Sequence, residues 1–101
     1  MRKNIMISQP MSGRDTTEIY VERQKIIDKL DAEGYTVLNS FFDQREIDGV
    51  KNQPVYYLAK AIEVMSKCDV VYFCKGWENS RGCAIEHRIA KKYGLEILEE
   101  K

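Results

Sequence analysis

Asp69-Val-Val-Tyr-Phe-Cys74, followed directly by the loop Lys75-Gly-Trp-Glu-Asn-Ser-Arg81, carries the strongest structural signal in the chain. Its centre is β-branched and aromatic, and it is apolar at every position between a charged start and a polar loop. That pattern suits a central parallel strand, which is covered on both faces and so does not alternate. Beyond the loop, helical spacing runs from about Ser80 to Lys92 and ends at Gly94; Leu95-Glu-Ile-Leu98 then reads as a last short strand.

Working outward toward the N-terminus, Asn4-Ile-Met-Ile-Ser8 is a second buried strand, ended by Gln9-Pro10. Ser8 to Asp15 (S-Q-P-M-S-G-R-D) is dense in turn formers and predicts a loop. Asp15 or Thr16 then caps a helix, with Glu18 at capping-box distance from Asp15. Ile19, Ile26, Ile27 and Leu30 share one face of that helix, and Gly34 closes it. Tyr35 to Asn39 predicts another strand. Phe41 to Gln53 has no period, only an Asp48-Gly49 turn. Pro54 suits the first turn of a helix reaching about Lys67, with Leu58, Ala61, Ile62 and Met65 inward. Alternating strands and helices imply right-handed crossovers. The fold expected is α/β: a three-layer open sandwich, flavodoxin- or Rossmann-like, with a mostly parallel sheet of 4–5 strands in order 2-1-3-4.

With 101 residues there is room for one core, so residues 1–101 are read as a single domain. Sixteen basic and sixteen acidic residues cancel, which argues against a nucleic-acid polymer or an anionic membrane as partner while permitting a local phosphate pocket. Apolar runs stop at about five residues, far short of the ~20 that span a bilayer. Met1-Arg2-Lys3-Asn4 does not open a signal peptide, and the expected location is cytoplasmic. Cys68, Cys74 and Cys83 form no C-x-x-C pair, and His87 is the only histidine. Cys83 and His87 would give two metal ligands where zinc sites take three or four, so neither metal nor cofactor is expected.

In open α/β sheets, ligands bind beyond the carboxyl ends of the strands where the order reverses. With order 2-1-3-4, the loops emerging there are Ser8–Asp15 and Lys75–Arg81. Ser12-Gly13-Arg14 precedes a helix start, where free N–H groups, a hydroxyl and a guanidinium could hold a phosphate; a capped turn with a solvent-facing arginine is the plainer alternative. In the second loop Ser80 reads as an N-cap. Gly82 would let a ligand lie against the helix start, and Glu86 follows it by about one turn. A carboxylate there is either a solvated helix position or a placed reactive group. His87 projects about 100° around the helix from Glu86 and is read as structural.

The ordered set of a strand with S-x-P-M-S-G, then C-D-V-V-Y-F, then G-W-x-x-S-x-G-x-x-x-E-x-x-x-A-x-x-x-G resembles the nucleoside 2-deoxyribosyltransferase-like superfamily. Within it the chain is most similar to small bacterial and phage proteins of the DUF4406 group. The likeness covers nearly the whole chain, and Ser80–Gly94 is its most specific part.

The resemblance implies a glutamate nucleophile at Glu86 that attacks C1′ of a 2-deoxyribosyl group and displaces the base. Relatives acting on free nucleosides carry an aspartate where this chain has Ser80. A serine there resembles the 2′-deoxynucleoside 5′-phosphate N-hydrolases, and a hydroxyl at a helix N-terminus attracts phosphate where a carboxylate would repel it. The substrate-binding residues expected are Ser8, Gln9, Met11, Ser12, Gly13, Arg14, Gly76, Trp77, Ser80 and Gly82, with Trp77 either stacking on the ligand or closing the core edge. Two features depart from the family pattern. The orienting tyrosine of strand one falls near Ile5 or Met6, and the acid that protonates the base is unassigned: Glu63 is nearest the family position, with Tyr20, Asp43 and Glu78 as other partners and Asp69 as a structural cap. A nucleoside or nucleotide partner and a homodimer or higher homo-oligomer are implied. The alternatives are a non-catalytic nucleotide-binding module of the same fold, or a receiver- or flavodoxin-like domain, for which the acidic cluster and the flavin loop are missing.

Overall fold

The computed structural model describes residues 2–42 and 45–101. Asp43, one of the partners considered for Glu86, lies outside the described residues. Four strands, β1 (Asn4–Ser8), β2 (Thr36–Val37), β3 (Val70–Phe73) and β4 (Glu96–Glu99), form one parallel sheet in the order β2-β1-β3-β4. Three α-helices cross between them: α1 (Thr16–Ala32), α2 (Gln53–Met65) and α3 (Arg81–Lys92). The expected α/β class and strand order are those observed.

Alternation along the two central strands separates two cores. Ile5, Ile7, Val70, Tyr72 and Cys74 turn to one face and meet Ile26 and Leu30 of α1. Met6, Val71 and Phe73 turn to the other and meet Ala61 and Met65 of α2 and Ala90 of α3. Each of β1 and β3 is therefore buried on both sides, the cause of their unbroken apolar sequence. Ile27 packs at the edge of the first core, but Ile62 joins neither cluster and Val64 packs in its place. β2 is shorter than the Tyr35–Asn39 reading: only Thr36 and Val37 pair as a strand, after which the chain leaves the ladder.

Local signals fix the helix ends. Asp15 caps α1 by accepting from Thr17 N at 2.7 Å. Glu18 does not complete a capping box; its carboxylate pairs with Arg14 at 3.0 Å. Asn52 caps α2, with Pro54 in the first turn, and Ser80 caps α3 by accepting from Cys83 N. At the opposite end of the sheet Asp69 Oδ2 accepts from Asn4 N at 2.9 Å, tying the starts of β1 and β3 together, far from their carboxyl ends.

Candidate functional site

The carboxyl end of β1, the loop beyond it and the start of α3 border a cavity of about 420 Å³. Ser8 and Gln9 reach it from the end of β1, and Met11 and Ser12 from the loop beyond. Ser80, Gly82, Cys83 and Glu86 reach it from the start of α3. Helix geometry leaves the N–H groups of Arg81 and Gly82 without intrahelical acceptors, so this end of the cavity favours anions. Ser40, Phe42, Tyr57, Leu58 and Ala61 close the opposite wall.

Glu86 is 8% exposed. Among the described residues its carboxylate makes no ion pair, and burial pushes its pKa from 4.5 up to about 7. The Ser8 hydroxyl and the Arg23 charge pull the other way, more weakly. Ser8 Oγ is fully enclosed and has no well-aligned hydrogen-bond partner among the described residues, yet lies near enough to Glu86 to oppose the rise in its pKa. An unsatisfied buried hydroxyl costs about 1–3 kcal/mol. That cost is borne beside a desolvated carboxylate, two unfavourable burials in one place.

A buried polar network backs this wall. Arg23, only 4% exposed on α1, donates to Gln9 Oε1 at 3.1 Å and to Ser40 Oγ at 2.7 Å, and Ser40 Oγ donates to Ile7 O at 2.8 Å. Gln9 Nε2 in turn donates to Ile19 O and to Glu22. Gln9 is thus a hinge between the cavity and α1. Desolvation lowers the Arg23 pKa, and its charge is met chiefly by neutral oxygens.

Seven of the residues expected at the site come together around this cavity: Ser8, Gln9, Met11, Ser12, Ser80, Gly82 and Glu86. The other expected residues are placed differently. Arg14 turns back onto α1, where it meets Glu22 at 2.8 Å, Glu18 at 3.0 Å and Pro10 O at 2.9 Å. Those contacts hold its pKa above the ordinary arginine value and keep the guanidinium off the cavity lining. Gly13 makes the turn itself, with φ of 74°, and Gly76 opens a short 3-10 turn (Trp77–Asn79) in the left-handed region at φ 88°. Trp77 packs inward, its ring stacked on His87 at 3.8 Å and 6° and beside Phe73, while His87 Nε2 lies 3.1 Å from Glu99. Of the two readings of Trp77, the core edge is where the ring lies. Glu63 is exposed and lines a neighbouring hollow; Tyr20 shares that hollow, and Glu78 lines neither cavity. Ile5 and Met6, where the resemblance would place an orienting tyrosine, are both fully buried.

Arg23, Ser40, Phe42 and Tyr57 were not singled out from sequence. Arg23 had a readable signal, a charge at the buried spacing between Ile19 and Ile26. Ser40 and Phe42 come from the aperiodic stretch after β2, where pattern carries no information.

No group of three or more metal-ligating side chains occurs among the described residues, and no described helix is long and apolar enough to cross a membrane. Fold and site together define a small parallel α/β protein with a pocket beside the carboxyl end of β1 that holds, among the described residues, one buried glutamate. The chain belongs to the family described as domain of unknown function DUF4406, whose model matches residues 3–99. A search of curated proteins finds no match to it.

Proposed function

We propose that this protein binds a 2′-deoxynucleoside 5′-monophosphate and breaks or transfers its N-glycosidic bond through Glu86. The supporting observation is the buried, unpaired Glu86 carboxylate in a cavity that also holds an unsatisfied serine hydroxyl and a helix N-terminus. The reading also rests on the resemblance to the nucleoside 2-deoxyribosyltransferase-like superfamily. In the step envisaged, a Glu86 oxygen forms a bond to C1′ as the C1′–N bond breaks. The bonding pair leaves with the base, which takes up a proton, and water or a second base then attacks C1′ and releases the carboxylate. Desolvation favours this because an ionised carboxylate stripped of water is a stronger base and nucleophile. Ser80 and the start of α3 would hold the phosphate.

One observation favours a second reading, a nucleotide-binding module without chemistry. Glu86 is the only carboxylate among the described residues lining its cavity, so no second acid is at hand to protonate a departing base. A homodimer whose partner completes the site would remove that objection. The three thiols are unpaired, which suits the reducing cytoplasm in which we place the protein.

Incubation with the four deoxynucleoside monophosphates, with free base measured chromatographically, tests the enzyme reading. Base release that vanishes in Glu86→Ala supports it. Calorimetric binding without release selects the module, and no binding of any nucleotide removes both.

A further inference from the structure

A second hollow, of about 770 Å³, lies beyond the first, between α1 and α2 at the β2 edge of the sheet. Its origin is the brevity of β2: after Val37 the chain leaves the ladder and bridges the two helix layers, so α1 and α2 are not closed against each other there. Phe42 and Tyr57 line both hollows, so the two meet at these rings. The lining is aromatic and cationic together. Tyr20 and Phe41 pack at 4.7 Å, and Tyr56 and Tyr57 meet edge to face at 5.3 Å. Lys60 sits over the Tyr56 ring at 5.6 Å, and Arg23 over Phe41 at 5.7 Å. Arg23 is committed to Gln9 and Ser40, whereas Lys60 has no carboxylate partner among the described residues, although this chain pairs Arg2, Lys3 and Arg14 with acids. Arg45 also lines the hollow, and Glu63 is the one carboxylate among its described lining residues.

Rings and the Lys60 ammonium in one concave surface suit a planar aromatic group carrying a phosphate. We infer that this hollow is a second subsite for the ligand bound at Glu86, and that the ligand is a dinucleotide. Its deoxyribose lies at Glu86, its bridging phosphate passes Phe42 and Tyr57 toward Lys60, and its second base rests among Tyr20, Phe41 and Tyr56. This inference rests on the nucleotide reading of the Glu86 cavity and extends it. The bridge is a phosphodiester from the 3′ oxygen, which leaves the 5′-phosphate at the start of α3; a pyrophosphate would draw that phosphate away from Ser80.

Calorimetric titration of the wild-type protein with a deoxynucleoside monophosphate, a 5′-phosphorylated deoxydinucleotide and a pyrophosphate-bridged dinucleotide tests it. The 5′-phosphorylated deoxydinucleotide should bind at least about tenfold more tightly than the monophosphate, the affinity that one charge-assisted contact supplies. Lys60→Gln and Tyr56→Leu should each erase most of that preference and leave monophosphate affinity unchanged, a readout that general destabilisation would not produce. Tighter binding of the pyrophosphate-bridged dinucleotide than of the 5′-phosphorylated one overturns the phosphodiester bridge. Equal affinity for all three ligands, or a preference that survives both substitutions, overturns the second subsite and leaves the Glu86 site standing. Failure of every nucleotide to bind overturns both.

Discussion

Replacing Glu86 by glutamine should make the protein more stable at neutral and alkaline pH. The side chain keeps its shape while losing a charge that the fold holds away from water. Each tenfold change in proton affinity is worth about 1.4 kcal/mol, so a carboxyl raised from 4.5 to about 7 costs the folded state roughly 3 kcal/mol once it is fully ionised. The sign follows from proton counting. Between those two values the folded protein holds a proton at Glu86 that the unfolded chain has released, so stability falls as pH rises through the window. Below pH 4.5 both states are protonated and the cost is absent; above pH 7 it is complete. Other titrating groups are common to both proteins and cancel in the difference. Urea unfolding at pH 4.5, 6 and 8 should therefore show the wild type and Glu86→Gln nearly equal at the lowest pH and diverging upward. At about 4–8 °C per kcal/mol for a domain of this size, Tm should differ by roughly 10–20 °C at pH 8. Parallel stability curves for the two proteins would refute the reasoning, since Glu86 would then be solvated in the folded state. The strain is the ordinary trade of stability for a reactive site.

Arg23→Leu should destabilise the protein by about 2–4 kcal/mol, because Ser40, Gln9 and Ile7 O lose a buried charged donor; urea unfolding at neutral pH measures this, and a loss within experimental error would contradict the network. Burial raises the thiol of Cys68 to about 11 and that of Cys74 to about 12. The native protein should therefore react slowly with a thiol reagent at pH 8, and the unfolded chain should react quickly at all three cysteines. Trp77 is the only tryptophan, and its ring lies flat on His87, so His87→Ala should expose it and shift its emission to the red. An unchanged spectrum would mean the stack is absent in solution.

Most of the scaffold could be read from the sequence because it depends on short-range rules. The unbroken apolar runs of β1 and β3, the caps at Asp15 and Ser80 and the period of α1 each report a local energy. The parallel order then follows from crossover handedness. The cavity around Glu86 was legible in part, where the loop after β1 meets the start of α3. What escaped depends on tertiary competition. Arg14 has an attractive position for phosphate, yet Glu18 and Glu22 stand one and two helical turns away and take its guanidinium first. Trp77 satisfies itself against His87 and Phe73. Glu63 is separated from Glu86 because α2 carries it out to the sheet edge, a matter of helix rotation that spacing alone does not fix. The wall residues Ser40 and Phe42 follow from how early β2 ends, which no periodic pattern announces.

The role assigned to Glu86 is tested most directly by the rate of free-base release from deoxynucleoside monophosphates, measured from pH 5 to pH 9 for the wild type and for Glu86→Gln. A nucleophile must be ionised, so the wild-type rate should climb about tenfold per pH unit in the acid range and level off above about pH 7, where Glu86 loses its proton. The Glu86→Gln protein should release no base at any pH. Release that persists in Glu86→Gln, or a wild-type rate that falls as pH rises through 7, would contradict nucleophilic attack by this carboxylate.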